Sequence, residues 1–411
     1  MPAEPGRRGR GICCTALALA VFWSGSAMAE EELFAEELGS REGRLGGVLK
    51  LGTTLVDQPE QDRAFLSSGF ARLTYEQPVA ETGKLVAHGQ LDFLAATRSD
   101  LYRTMASQPG PVDRSLTLHR RLDHGGQHRV SVGFDWLYYQ HDWQGGRLTL
   151  GRQPVSLTLG RIWSPADQLA PFQPADLERL YKPGVDGLRL TVFTNPQLTL
   201  NSIVTSAKTA DGSHANFLQT FDWAGDASKS MLLLAYRDGQ TSLALGRQQN
   251  DAVAGADLYG ELAATWLDGR GERLWQRKRV VRAVVGLNRK VAENTVLNLE
   301  YFYQSFGETE PARYAEFERR AAATDLPAMG IGRHKLGVAL SRQISTVLNV
   351  EGQWQWNLND HSSALSGLLK YSLQKDLELR AAFSQSLGGK RREGEYRREA
   401  NAWQLGLFYY W

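Results

Sequence analysis

Only two cysteines occur in the 411 residues, Cys13 and Cys14, and both fall in a segment that reads as a cleavable leader. Residues 30–411 therefore carry no thiol, no disulfide and no Cys-ligated metal. No apolar run approaches the roughly 18 residues that a membrane helix requires, so spanning by helices is excluded. The 47 Lys and Arg residues nearly balance 45 Asp and Glu, leaving a formal net charge of +2. A nucleic-acid partner would need a concentrated basic face, and none is expected. Catalytic signatures are missing as well: there is no GxSxG, HExxH, P-loop or dinucleotide fingerprint. His119, His124 and His128 are spaced so that they share no strand face, which argues against a metal site. Neither an enzyme nor a cofactor is expected.

Arg7, Arg8 and Arg10 precede an apolar stretch from Ile12 to Trp23, too short to cross a bilayer, and then Ala27-Met28-Ala29 supplies small residues around a cleavage point. This is the pattern of a secretory signal peptide covering residues 1–29, with a mature chain beginning at Glu30. Cys13 and Cys14 lack the upstream residues of a lipid-attachment site. Residues 30–42 read as a short acidic periplasmic lead, and residues 43–411 as a single domain.

What the chain does have is glycine, 41 residues, with 14 Tyr and 11 Trp, distributed in two-residue alternation. The last strand shows it best. Trp403, Leu405, Leu407, Tyr409 and Trp411 fall on one face, while Ala402, Gln404 and Gly406 fall on the other. Lipid on one side and water on the other account for such a strand. Its terminal aromatic resembles the C-terminal strand of bacterial outer-membrane barrels, which implies recognition by the barrel assembly machinery. Leu45, Leu49, Leu51 and Leu55 alternate with Arg44, Lys50 and Thr54, and Leu85, Leu91 and Phe93 with Lys84, His88, Gln90 and Asp92. Val130, Val132, Phe134, Trp136 and Tyr138 alternate with Ser131, Gly133 and Asp135. Leu348, Val350, Trp354 and Trp356 oppose Asn349, Glu351, Gln353, Gln355 and Asn357.

Short connections at Thr194–Gln197, Lys290–Thr295, Gln343–Thr346 and Gln374–Asp376 contrast with long ones at Asp57–Ser68, Thr97–Gln127, Pro154–Gly184, Glu308–Gly332 and Gly388–Tyr396. Short periplasmic turns and long outer loops are the asymmetry of an all-β, transmembrane, antiparallel up-and-down β-barrel. Counting back from Trp411 gives about 18 strands when Asp113–Arg121 is assigned to a loop, which keeps both termini in the periplasm. The alternative count is 16, because Phe217–Trp223 and Met231–Arg237 are weakly patterned. Glu308–Ala323 has the composition of a short outer-loop helix with a charged, solvated face.

A barrel of this size cannot be plugged by its own side chains, so it encloses an aqueous path narrowed by loops. Alternation places Arg44, Lys50, Lys84, Arg147, Arg189, Lys278, Arg282, Lys335, Lys370 and Arg380 inward, against fewer acids: Asp92, Asp135, Glu300, Glu351 and Glu378. That excess favours anions, unless cross-strand pairing consumes it. Between Leu148-Thr149-Leu150-Gly151-Arg152-Gln153 and Pro183-Gly184-Val185-Asp186-Gly187-Leu188-Arg189-Leu190 runs a proline-rich loop. In it Trp163 and Phe172 are candidate anchors, and Arg161, Asp167, Asp176, Glu178, Arg179 and Lys182 are candidate constriction residues.

The LTLGRQ and PGVDGLRL stretches resemble the alginate-export-like family of outer-membrane porins. The resemblance implies a channel in the outer membrane of a Gram-negative bacterium, surrounded by outer-membrane lipid and passing small or polymeric polar or anionic solutes. Two other expectations stand beside it. One is a barrel sheath around a multihaem cytochrome, which would have to bring every haem because this chain has no CxxCH. The other is a structural or adhesive barrel.

Overall fold

The computed structural model describes residues 43–58, 61–106, 113–122, 127–174, 181–209, 212–267, 278–322, 326, 329–387 and 394–411. The expected leader and periplasmic lead lie outside these residues. Among the described residues are nineteen strands: β1 (Arg44–Asp57), β2 (Ala64–Val79), β3 (Gly83–Ala96), β4 (His119–Arg121), β5 (His128–Trp143), β6 (Gly146–Gln153), β7 (Val185–Asn195), β8 (Leu198–Thr209), β9 (Gly212–Ala224), β10 (Ser228–Arg237), β11 (Gln240–Val253), β12 (Ala256–Trp266), β13 (Arg279–Ala292), β14 (Thr295–Gln304), β15 (His334–Ser345), β16 (Leu348–Asn357), β17 (Ser363–Gln374), β18 (Leu377–Leu387) and β19 (Asn401–Tyr410). All pair antiparallel, and β19 returns to β1 with Leu51 opposite Leu407, closing the sheet. β3 pairs with β5, so the three-residue β4 is not a wall strand in its own right and the barrel has 18. The weakly patterned segments are β9 and β10, which removes the 16-strand alternative.

Every connection at the end bearing Arg44 and Trp411 is a two- or three-residue turn, and the long loops lie at the other end. Among the tight turns, Ala254-Gly255 has φ of 51° and 76°, the left-handed pair that a two-residue hairpin requires and that glycine adopts without strain. The helix expected in Glu308–Ala323 is present as Tyr314–Ala322. Its inner face is not solvated: Tyr314 and Phe317 are buried with Phe306 and Ile331.

Large apolar residues are exposed on one face of strand after strand, including Leu51, Phe93, Val132, Leu245, Val285, Leu405 and Trp411. That face meets lipid. On β5 the alternation changes side partway. Gly89 pairs with Phe134 and His88 with Trp136, so Asp135 is an extra residue, and both Asp135 and Trp136 turn inward. Trp136 is accordingly 7% exposed and stacks on His88 at 4.3 Å, whereas Tyr139 takes the outer face. The expectation that Trp136 and Tyr138 face outward is thereby corrected; strict alternation cannot register a bulge.

β6 stops at Gln153 and β7 starts at Val185, which leaves a notch in the wall between the upper parts of β5 and β8. Residues 113–122, expected to be plain loop, fill it. Phe134 donates its N–H to the Leu118 carbonyl (2.8 Å) and Leu122 to that of Val130 (2.7 Å), while Lys208 donates to the Arg114 carbonyl (3.1 Å). Leu116, Arg120 and Leu122 are exposed on this strap, which continues the outer surface of the barrel.

The terminal strand lies as expected, with Trp403, Leu405, Leu407, Tyr409 and Trp411 exposed and Phe408 4% exposed on the inner face. The Trp411 ring covers Gly47 and leaves no room there for a Cβ. Arg380 and Lys50 lie over the Phe408 ring, at 3.9 and 4.9 Å. Trp411→Ala should therefore lower the yield of heat-modifiable, membrane-inserted barrel far more than Phe408→Ala, because only Trp411 occupies the aromatic girdle at the lipid interface. Equal yields would refute this division of faces.

Candidate functional site: the loop belt inside the barrel

Residues 154–174 leave β6 and lie against the inner wall, and residues 181–184 lead into β7. Two lumen-facing carboxylates hold the first of these stretches. Glu261 of β12 accepts the Thr158 hydroxyl (2.7 Å) and the backbone N–H groups of Leu159, Gly160 (2.9 Å) and Ala166 (3.2 Å). Glu300 of β14 accepts those of Arg161 (2.6 Å), Ile162 (3.1 Å) and Trp163 (3.0 Å), together with the Tyr259 hydroxyl (2.8 Å). Both glutamates are buried. An ionised carboxylate in such a place is sustained by several N–H donors, and the loop presents them as consecutive amides.

Apolar packing fills the space between these anchors. Val155, Leu157, Ala166 and Leu169 bury against inward residues of β7 to β12, including Ile203, Leu218 and Leu233. Ile162 and Trp163 cover Val284 and Phe302, with the Trp163 ring stacked on Phe302 at 5.4 Å. Farther round, Gln353 and Gln355 of β16 donate to the Pro174 carbonyl. Tyr181 then stands edge-on to Trp136 and His88, 3.9 Å below the Arg72 guanidinium, and Trp136 donates to the Lys182 carbonyl (2.9 Å). The described parts of the loop thus touch the wall from β7 to β16 and again at β2 to β5, as a belt around the interior.

The sequence-selected residues differ in their surroundings. Asp167 and Lys182 pair with each other and are fully buried, so their charges join the two ends of the belt in its own core. Arg161 is exposed, with its guanidinium 5.6 Å from the Tyr259 ring. Arg179, Asp176 and Glu178 lie outside the described residues. On the wall, Lys370 pairs with Glu351 (2.6 Å), Arg147 with Asp142 (2.6 Å), and Arg380 with Glu378 and the Tyr410 hydroxyl (2.7 Å). Arg189 donates to Asn201 (3.1 Å), and Lys335 pairs with Glu395 (2.5 Å) from the last outer loop. Beside that pair, burial and the neighbouring Glu395 push the Glu399 carboxyl up to about 8, with Lys335 opposing the rise. The Arg282 Nε is buried without a hydrogen-bond partner among the described residues.

Sequence reasoning passed over Glu261, Arg72, Arg152 and Asp186. One signal for Glu261 was present: it is an inward acid between inward Tyr259 and Ala263 with no base in register, a position that a carboxylate occupies only when something else supplies donors. Among the described residues no group of acidic, His or Cys side chains is disposed to hold a metal ion.

No protein-family model and no curated protein matches the sequence. Solved structures are similar in fold. OccK5 (OpdH) of Pseudomonas aeruginosa gives a TM-score of 0.58 at 10% identity, over 90% of this chain and 98% of that one. OccAB4 of Acinetobacter baumannii gives 0.57 at 11% identity over 92% and 100%, and OccK11 (OpdR) of P. aeruginosa 0.53 at 13% over 90% and 95%. At these identities the likeness is one of fold, and it is consistent with an outer-membrane location. The expected resemblance to outer-membrane porins is supported in its general form: this chain folds as a closed 18-stranded barrel of the outer-membrane porin type.

Proposed function

We propose that the protein is a passive outer-membrane channel for polar organic solutes, mildly selective for anions, whose limiting aperture is the 154–184 belt. The observation that carries this reading is the pair of inward carboxylates, Glu261 and Glu300, each spent on backbone amides of one loop. A wall that invests buried acids in holding a loop against its inner face builds a constriction of fixed shape, which a solely adhesive barrel does not need. The same belt and Tyr396, which donates to Gln355, occupy interior wall that a cytochrome core would have to contact, which weighs against the sheath reading. Weak selectivity follows from charge pairing. Lys370, Arg380, Lys335 and Lys182 are each matched by a carboxylate, so only a small cationic surplus, including Arg282, remains to attract counter-ions. The alginate-export-like stretches at Leu148–Gln153 and Pro183–Leu190 favour carboxylate-bearing or other polar solutes. Insertion by the barrel assembly machinery and a surrounding of outer-membrane lipid complete the proposal.

Replacing Ser156–Lys182 by a short Gly/Ser linker tests it. The strand ladders do not depend on this segment, so the barrel should still assemble, while single-channel conductance and solute size cutoff should both rise. In the unmodified protein the reversal potential at low salt should indicate anion preference that fades as salt screens the wall. A folded replacement with unchanged conductance and cutoff would remove the belt from the permeation path, and cation preference would overturn the selectivity.

A further inference from the structure

The aromatic girdle at the short-turn, periplasmic end is interrupted. Tyr75, Trp143, Phe193, Trp223, Tyr371 and Trp411 are exposed there, on strands running from β17 through β19 and β2 round to β9. From β10 to β16 no described residue at that end is an exposed aromatic, and the exposed aromatics of this sector, Tyr236 and Tyr301, lie toward the outer end.

Arginine stands in the gap. β13, β15 and β17 descend into hairpins of one form, in which the ladder skips a residue just before the turn: Val291, Ile344 and Leu373. Two positions ahead of the skipped residue, the equivalent sites hold Arg289, Arg342 and Tyr371, opposite Leu297, Val350 and Leu379. Tyr371 belongs to the girdle, so Arg289 and Arg342 stand at girdle depth. Both are exposed, and two-residue alternation puts them on the outer face with exposed Val285 and Leu340. Arg247 of β11 shares that face, donating to Ser230 and Gln249 at 3.2 Å each. These three cations outnumber Asp251 and Glu293, which are exposed beside the neighbouring turns.

Arg289 is in register with Leu297 of β14 and Leu340 of β15, and Arg342 lies two residues nearer the turn than Leu340. The two stems therefore flank the lower end of β14, two strand spacings or about 10 Å apart laterally. Val285, Leu299 and Leu340 are exposed above them, and Val291 and Ile344 below. A long stem on apolar surface lets each guanidinium reach headgroup depth, where it donates to phosphate in a way that tyrosine and tryptophan do not. A cationic rim under an apolar field matches a molecule with an anionic head and hydrocarbon chains, whereas an acidic protein surface would leave the apolar field unmatched.

We infer that Arg289 and Arg342 hold the phosphate of an anionic phospholipid of the periplasmic leaflet, with its acyl chains along Val285, Leu299 and Leu340. The site rests on the membrane position of the barrel and not on the solute that crosses it.

The full-length folded barrel in detergent, titrated with phosphatidylglycerol or phosphatidylcholine and weighed by native mass spectrometry, tests this. Each basic residue at a membrane surface strengthens binding of an anionic lipid about fivefold, so one phosphatidylglycerol should bind roughly thirtyfold more tightly than phosphatidylcholine. Arg289→Gln with Arg342→Gln should abolish the preference while leaving a heat-modifiable barrel, since both side chains are on the surface. Arg289→Lys with Arg342→Lys should keep most of it, and Arg279→Gln, which removes the same charge at the outer end of β13, should keep all of it. Equal retention of the two lipids by the unmodified protein, or a preference that survives the double Gln change, overturns the inference. So does a dimer mass that disappears in the double Gln variant without any lipid preference, which would make this face a contact between two copies. Failure of the loop replacement to change conductance leaves the lipid site untouched, so the two readings fail separately.

Discussion

Replacing Glu261 and Glu300 together by alanine should free the belt from the wall without unfolding the barrel. Conductance is expected to rise toward that of the linker replacement, with added open-channel noise. Hydrogen bonds to a charged acceptor contribute about 1.5–3 kcal/mol each, and these two side chains accept six backbone amides between them along with two hydroxyls. Even after the entropy of ordering the loop is set against them, their loss exceeds the roughly 5.5 kcal/mol that turns a 99:1 equilibrium into 1:99. The single variants should fall between, because each leaves one anchor and the apolar packing of Leu157, Trp163 and Leu169 in place. Bilayer recordings of the three variants decide it: quiet, wild-type conductance in the folded double variant would mean that packing alone seats the belt.

The wall was legible in the sequence because its signal is periodic. Lipid selects every second residue, and in Leu45 to Leu55 or Trp403 to Trp411 that selection is visible without tertiary information. The turns at 196–197 and 375–376 and the loop at 154–184 were equally plain, since Asn, Asp, Pro and Gly mark where pairing stops. What failed were features that shift the period by one or lie off it. Asp135 adds one residue to β5 and moves Trp136 across the wall. β4 comes from a loop yet behaves as wall, because the notch it fills is created by strands far from it in sequence. The interior was less legible still. Leu218, Leu233 and Val284 face inward as apolar residues, which contradicts the simple rule of a polar lumen and makes sense only once a loop covers them. The candidate wall cations lie in strands except Lys278, which precedes β13 and is exposed, but whether each is paired depends on register, and register across eighteen strands is not written in any one of them.

The strap gives the second large effect. Arg152→Ala should destabilise the barrel by about 3–5 kcal/mol, the range for stranding one member of a buried ion pair. Arg152 holds Asp186 through two contacts of 2.6 and 2.9 Å and also donates to the carbonyls of Leu116 (2.7 Å) and Phe134 (3.0 Å). Asp186 in turn accepts the N–H groups of Ser115 (2.8 Å) and Leu116 (2.7 Å). One guanidinium therefore ties β5, β7 and the strap together where β6 is too short to do so. Asp186→Ala should cost a similar amount for the converse reason, since it leaves Arg152 buried without its carboxylate. In a double-mutant cycle Arg152→Met with Asp186→Leu should be far less damaging than the sum of the single changes, because no charge is then stranded. The damage should also be local. Protease should cut within residues 113–122 in Arg152→Ala under conditions where the unmodified barrel resists, while the β10 to β19 wall stays protected. Denaturant unfolding followed by heat-modifiability gives the first number and mass mapping of the nicks gives the second. An Arg152→Ala barrel as stable as the unmodified one and resistant at the strap would show that the notch is sealed by the Arg114–Asp135 and Arg237–Asp113 pairs alone.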